Sequence, residues 1–206
     1  SEGSGPFDSN RGKYMNIRKK YQITEYCHRF LSEYISDGDL CIDATAGNGN
    51  DTEFLCRLVG EKGKVFAFDI QEQAIANTRE KLNRAGLLER AELICDGHER
   101  MEQYVAVTGD VAAVVFNLGY LPGGDHAFAT RAETSMKAVK AGMRLLKPGG
   151  VISLCIYSGG DTGYEERDVL LDWLKDLDPK KWLVIVNSYY NRRNDPPLPV
   201  FILRLD

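Results

Sequence analysis

Apolar residues in this chain fall into short runs, divided by turns and by longer amphipathic stretches. Leu40–Ala44, Lys64–Asp69, Ala91–Cys95, Asp110–Asn117 and Val151–Tyr157 read as strands, because each is short, largely apolar and bounded by turn-forming residues. After the first, second, fourth and fifth of them, Glu53–Val59, Gln71–Ala85, Ala127–Leu146 and Glu165–Leu177 carry helical spacing, the last with Val169, Leu170, Trp173 and Leu174 expected inward. A further helix within Tyr21–Ile35, with apolar Tyr26, Phe30, Leu31 and Tyr34, precedes the first strand and ends at Ser36-Asp37-Gly38-Asp39. Lys147-Pro148-Gly149-Gly150 reads as a turn, and Leu183–Ser188 and Val200–Leu205 close the chain as two strands without a helix between them. Strands that alternate with helices pair in parallel through crossovers, whereas strands joined by a loop can pair antiparallel. The pattern therefore predicts an α/β fold: a mostly parallel seven-stranded sheet, helices on both faces and an antiparallel last strand. Ligands of such sheets sit beyond the carboxyl ends of the strands, here near the first and fourth.

The first strand runs into the most distinctive stretch, Asp43-Ala44-Thr45-Ala46-Gly47-Asn48-Gly49-Asn50-Asp51-Thr52. Its Gly-x-Gly pair lets backbone approach a ligand where a side chain would intervene, and Asp51 or Thr52 can cap the helix that follows. A dinucleotide fingerprint needs a third glycine where Thr52 stands, and no Gly-Lys-Ser/Thr of a phosphate loop is present. Asp43-x-x-x-Gly47-x-Gly49 instead resembles the first motif of class I S-adenosylmethionine methyltransferases. That likeness makes Asp43, Thr45, Gly47, Asn48 and Gly49, with Asp51 and Thr52, candidate cofactor-binding residues.

Asp69 ends the second strand roughly 20 residues past the glycine turn, where a carboxylate can accept hydrogen bonds from both hydroxyls of a ribose. Gln71 beside it joins the cofactor-binding set, and a helix-capping Asp is the simpler alternative for Asp69. After the third strand come Asp96-Gly97-His98. An acid at this point meets the adenine amino group in class I methyltransferases, so the resemblance implies that role for Asp96. Gly97 and His98 stand beside it, His98 as part of the adenine pocket or as a helix cap.

The fourth strand leaves through Asn117-Leu118-Gly119-Tyr120-Leu121-Pro122-Gly123-Gly124-Asp125-His126. Amino-group methyltransferases often carry a polar residue followed by prolines and an aromatic here, and this stretch has related parts in a different order. Asn117 can offer an amide oxygen, the Leu118 or Gly119 carbonyl another, and Tyr120 can stack on a base or position the donor methyl. Asn117, Leu118 and Gly119 also border the expected cofactor. Asp125 and His126 are candidates to accept a proton or orient an amine, with helix capping the alternative.

Composition narrows the setting. With 206 residues, 43% hydrophobic and 27% charged, the chain fits one globular domain. Residues 1–14, beginning Ser-Glu-Gly-Ser-Gly-Pro, read as an expression-vector remnant, and residues 15–206 as a single methyltransferase domain. No signal peptide or membrane span is visible. The five cysteines lack Cys-x-x-Cys spacing, so no metal is expected and a reducing cytoplasm is the natural compartment. A net charge of −4 does not announce a nucleic-acid binder, but Arg18-Lys19-Lys20, Lys180-Lys181 and Arg192-Arg193 are local basic patches.

Taken together, Asp43-Ala44-Thr45-x-Gly47-Asn48-Gly49-x-Asp51-Thr52 and Phe116-Asn117-Leu118-Gly119-Tyr120-Leu121-Pro122-Gly123-Gly124-Asp125 resemble a family first labelled rRNA methylases and since linked to the tRNA wobble uridine. The likeness runs from Met15 nearly to the end, through Tyr157-x-Gly159-Gly160, Glu165-Glu166 and Asn191-x-x-x-x-Pro196-Pro197. It departs at Ser158–Gly163, where relatives usually have a Gly-His-Pro-Gly-Gly form. The resemblance implies a Rossmann-like class I methyltransferase using S-adenosylmethionine. Its reaction would convert 5-aminomethyl-2-thiouridine to 5-methylaminomethyl-2-thiouridine on a tRNA anticodon stem-loop. The alternative is the same chemistry on rRNA or a small-molecule amine. Whether two copies pair as a homodimer is left open.

Overall fold

The computed structural model describes residues 16–106, 108–118, 132–158 and 163–206, with the backbone alone at positions 163 and 165. Seven strands form one sheet in the order β3-β2-β1-β4-β5-β7-β6: β1 (Leu40–Asp43), β2 (Lys64–Asp69), β3 (Ala91–Cys95), β4 (Val111–Leu118), β5 (Leu146–Ile156), β6 (Trp182–Val186) and β7 (Leu198–Arg204). β1 to β5 pair in parallel, and β7 runs antiparallel to both β5 and β6. This is the Rossmann-like, mostly parallel arrangement that the alternation of elements predicts. Helices among the described residues include α1 (Ile23–Leu31), α2 (Asn50–Val59), α3 (Glu72–Ala85), α4 (Ala132–Leu145) and α5 (Gly163–Lys175), with 3₁₀ turns over Leu88–Arg90 and His98–Gln103.

Central strands covered on both faces must be apolar on both faces, and the six residues Val111 to Phe116 of β4 are all buried. On one face Ile42, Phe68, Val114, Phe116 and Ile152 pack against α4, α5 and the 3₁₀ turn. On the other, Cys41, Val65, Val115 and Phe201 pack against α1, α2 and α3. Phe68, Phe116 and Phe201 are fully buried, each contributing roughly 1.5–3 kcal/mol.

Two local readings are corrected. Lys147–Gly150 does not precede β5 but lies within it: Val111 pairs with Leu146 and Ala113 with Val151, so the turn is looped out as an irregularity in one strand. Val169 is 46% exposed, because α5 turns its Leu170 and Leu174 stripe inward and leaves Val169 on the flank.

What positions the site is the shared edge. The carboxyl ends of β1 to β5 lie together, and Ile156 at the end of β5 pairs with Leu198 at the start of β7. Val186 near the end of β6 pairs with Val200. The loop over residues 187–197 therefore leaves the sheet at that same edge.

Candidate active site

At the end of β1 the chain must turn sharply into α2. Gly47 (φ +52°) and Gly49 (φ +75°) supply the left-handed backbone this requires, a region that costs other residues roughly 1–2 kcal/mol. They do so under different constraints. A Cβ on Gly49 would lie 3.0 Å from Thr78 Cα, so α3 packs directly on the turn, whereas a Cβ on Gly47 would meet only Thr45 O at 3.9 Å. Gly47 is thus the open part of the turn, where a ligand can reach backbone. Gly49→Ala should lower stability by roughly 1–3 kcal/mol, strain and crowding acting together. An unchanged melting temperature would mean that α3 yields to the added methyl.

Behind the turn Asp43 is fully buried. It accepts hydrogen bonds from Thr45 N (3.1 Å) and Thr52 Oγ1 (2.6 Å). Asp43 and Thr52 hold the turn together from inside, and neither Asp51 nor Thr52 caps α2. The N-cap is Gly49, without a side-chain cap, because both side chains are committed elsewhere. Burial above all, then the nearby Asp51 charge, pushes the Asp43 pKa up to about 7. The ordinary carboxyl value is about 3.9, so between these values the folded protein holds a proton that the unfolded chain releases. This contribution to stability is complete below about pH 4 and is lost as pH rises toward 7, with a slope of up to about 1.4 kcal/mol per pH unit. Asp43→Asn should flatten that part of the pH dependence, as denaturant titrations across the window would measure.

Asp69 at the end of β2 closes on the turn: its Oδ2 accepts from Gly47 N (2.9 Å) and its Oδ1 from Gln71 N (2.9 Å). It therefore serves the loop ahead of α3, whose N-cap is Gln71, and stays half-buried at the strand-end edge. Asn48 is exposed and turned toward α3, its Oδ1 3.5 Å from Asn77 Nδ2. Asp96 follows β3. It accepts from Gly97 N (2.7 Å) and Tyr104 Oη (2.6 Å) and pairs with Arg100. These partners, the tyrosine foremost, hold its carboxyl below the ordinary range. Tyr104 packs edge-on against Phe68, so an aromatic ring stands beside this acid. His98 is no cap, since Gly97 occupies that position. Its buried ring contacts Ala44 O through Nδ1 (3.0 Å), tying the end of β1 to the 3₁₀ turn, and burial keeps its pKa below the usual value.

At the exit of β4, Thr45 Oγ1 accepts from Asn117 N (2.8 Å), which fixes the strand end against the glycine turn. The Asn117 side chain donates from Nδ2 to Asp51 Oδ2 (2.7 Å), and Asp51 Oδ1 accepts from His28 Nε2 (2.6 Å). The His28 ring lies flat on Phe54 at 3.7 Å. A carboxylate accepts only, so Asp51 compels the amide nitrogen of Asn117 to face it and turns the amide oxygen away. A cavity of about 20 Å³, lined by His28, Asp51, Asn117, Cys27 and Cys155 among others, adjoins the group and has room for one water. Leu118 is buried, and its carbonyl accepts from Tyr157 N (2.9 Å), just past the end of β5. Gly119, Tyr120, Asp125 and His126 lie outside the described residues.

Sequence reading missed His28. The buried stripe of α1 is formed by Cys27 and Leu31, spaced by four. His28 flanks that stripe as a polar residue on an inward face, a signal that was available in the sequence.

Residues 65–203 match the family model described as "Putative rRNA methylase". A chloroplastic tRNA (mnm(5)s(2)U34)-methyltransferase of Arabidopsis thaliana is 39% identical over 197 residues, covering 92% of this chain and 70% of that protein. The chain belongs to the rRNA methylase family. Among solved structures, a protein of the same description from Clostridium thermocellum superposes with a TM-score of 0.83 at 49% identity, over 86% of this chain and 95% of that one. A Streptococcus mutans methyltransferase in complex with SAH gives 0.80 at 39% identity, over 88% and 97%. The chain is therefore an enzyme, a class I methyltransferase dependent on S-adenosylmethionine.

Proposed function

We propose that this methyltransferase transfers a methyl group to the aminomethyl nitrogen of 5-aminomethyl-2-thiouridine at the tRNA wobble position, giving 5-methylaminomethyl-2-thiouridine. The observation that supports the reading is the Asn117–Asp51–His28 chain at the exit of β4, which turns the Asn117 amide nitrogen toward Asp51 and leaves its oxygen to accept from an amine. The likeness to the Arabidopsis tRNA methyltransferase supports the substrate. The anticodon stem-loop of tRNA is the partner in this reading. The cysteines are free, which suits a reducing compartment, and we place the enzyme in the cytoplasm. No helix among the described residues is long and apolar enough to cross a membrane.

The residues at the strand ends fit the donor. Gly47 leaves open space at the turn, Asp69 keeps a further lone pair on each oxygen for ribose hydroxyls beside its bonds to Gly47 N and Gln71 N, and Asp96 retains acceptor capacity for an exocyclic amine beside the Tyr104 ring. S-adenosylmethionine supplies a methyl group carried on a positively charged sulfur. Everything else falls to this chain. The attacking nitrogen must be neutral: its lone pair forms the new N–C bond as the methyl C–S bond breaks to leave SAH, and the product ammonium gives its extra proton to solvent. Asn117 Oδ1 accepts one of the amine's N–H bonds so that the lone pair points along the line of attack. No cysteine nucleophile is required for an amine, and the buried Cys41 and Cys56 thiols, pushed up to about 12 and about 11 by burial, are unsuited to be one.

The decisive experiment is single-turnover methylation of tRNA carrying 5-aminomethyl-2-thiouridine, followed by mass spectrometry of the nucleosides. The expected product is the methylaminomethyl nucleoside. Methylation of rRNA or of a small amine with none on this tRNA would overturn the assignment. Separately, Asp69→Ala should weaken donor and SAH binding by about 10- to 100-fold, since hydrogen bonds to a charged group are worth about 1.5–3 kcal/mol; calorimetry measures this directly.

A further inference from the structure

The two basic clusters that the sequence separates by some 170 positions are parts of one surface. Tyr189 in the β6–β7 loop donates its hydroxyl to Tyr21 O (2.7 Å), and Tyr26 of α1 donates to Asn187 Oδ1 (2.8 Å) at the start of that loop. Tyr26 also packs edge-on against Tyr189 and lies alongside Tyr21. Arg29 spans this group: its guanidinium stands 5.2 Å from the Tyr21 ring and 5.8 Å from the Tyr26 ring, and it donates to Lys20 O (3.0 Å). The segment around α1 and the loop over residues 187–197 are thereby locked side by side, at the same sheet edge that carries Asn117.

Charge and exposure then distinguish this surface from the rest of the molecule. Residues 16–34 and 187–197 hold six Lys and Arg residues (18, 19, 20, 29, 192 and 193) against three acids (Glu25, Glu33 and Asp195), in a chain whose net charge is −4. Asp195 is already engaged by the Tyr164 hydroxyl (2.5 Å). Arg18, Lys19, Lys20, Arg192 and Arg193 are all exposed. Tyr190 is 99% exposed and Tyr21 50%. A wholly solvated tyrosine next to two arginines, on a scaffold of packed tyrosines, has no packing reason to be there.

We infer that this composite surface, Arg18 to Lys20 with Tyr21 on one side and Tyr190 with Arg192 and Arg193 on the other, docks an unpaired stretch of RNA and delivers its base to the Asn117 edge. Cations neutralise the phosphates and release counterions, while the exposed rings stack on bases that have left a helix. The edge location favours RNA over a lipid headgroup, because a flat membrane on these residues would also cover the opening at which a substrate must enter. The inference deepens the proposed function and rests on its reading of an RNA substrate.

The test is fluorescence anisotropy of the full chain, without methyl donor, on three probes: a labelled RNA hairpin with an unpaired loop, the same stem as a blunt duplex, and anionic phosphatidylserine vesicles. The hairpin should bind more tightly than the duplex. Tyr190→Ala should weaken hairpin binding by about tenfold, the order expected for one stacked base. Arg192→Glu with Arg193→Glu should weaken it further and flatten its salt dependence. SAH affinity should stay at the wild-type value in all variants, which reports that the fold and donor site are intact. Unchanged hairpin affinity in both variants would overturn the surface, as would equal dependence of vesicle binding on the same residues with no preference for RNA. If the variants lose hairpin binding while the wild type leaves the wobble nucleoside unmethylated, the surface stands and the substrate assignment falls.

Discussion

Asn117→Ala is expected to lower single-turnover methyl transfer by on the order of a hundredfold, because an amine held slightly out of line loses most of the benefit of alignment. Donor affinity should change little. The backbone N–H of residue 117 still reaches Thr45 Oγ1, so the β4 exit stays fixed to the glycine turn after truncation. Asp51 keeps His28 as a partner, and the stability cost should therefore stay near about 1 kcal/mol, the worth of one lost hydrogen bond. A large kinetic defect with a small thermal one identifies a group that acts on the reacting amine. Wild-type turnover from Asn117→Ala would remove the β4 exit from the reaction and leave the family likeness without its chemical support.

The architecture was legible because it rests on local pattern. Four strand–helix alternations, each with its own apolar periodicity, specify crossovers, and crossovers specify a parallel sheet. The strand-end acids were legible for the same reason: Asp69 and Asp96 follow apolar runs directly, and the structure places them at one edge. What the sequence hid is the pairing of polar side chains. Asp43 and Thr52 have the look of ligand-facing motif residues, yet they bond to each other inside the turn. Nothing local shows this, since the bond depends on how tightly the glycine turn folds back over β1. Asp51 suits a helix cap by position, but its carboxylate is drawn across to α1 and β4 by His28 and Asn117, 23 and 66 positions away. Such contacts have no period and are fixed only when three elements converge. The two basic clusters illustrate the same limit, because their union depends on a β6–β7 loop returning to α1.

Asp51 supplies the second large effect. Its carboxylate is what keeps the Asn117 amide nitrogen on one side and the oxygen on the other, so Asp51→Ala should let the amide rotate and lower turnover by about 10- to 100-fold, the worth of a hydrogen bond to a charged group. The effect passes through Asn117, which makes it testable as a cycle. In an Asn117→Ala background there is no amide left to orient, and adding Asp51→Ala should cost little further turnover. His28→Ala should produce a smaller defect in the wild-type background, because the carboxylate still accepts from Asn117 after its other partner is lost. The readouts are single-turnover rates on modified tRNA for the two single variants and the double, with SAH affinity and melting temperature as controls on the fold. Near-equal rates for Asn117→Ala and the double variant would identify Asp51 as a positioning residue. If Asp51→Ala still slows the Asn117→Ala enzyme by tenfold or more, Asp51 acts on the substrate by a route of its own, and the orientation argument built on the His28–Asp51–Asn117 chain fails.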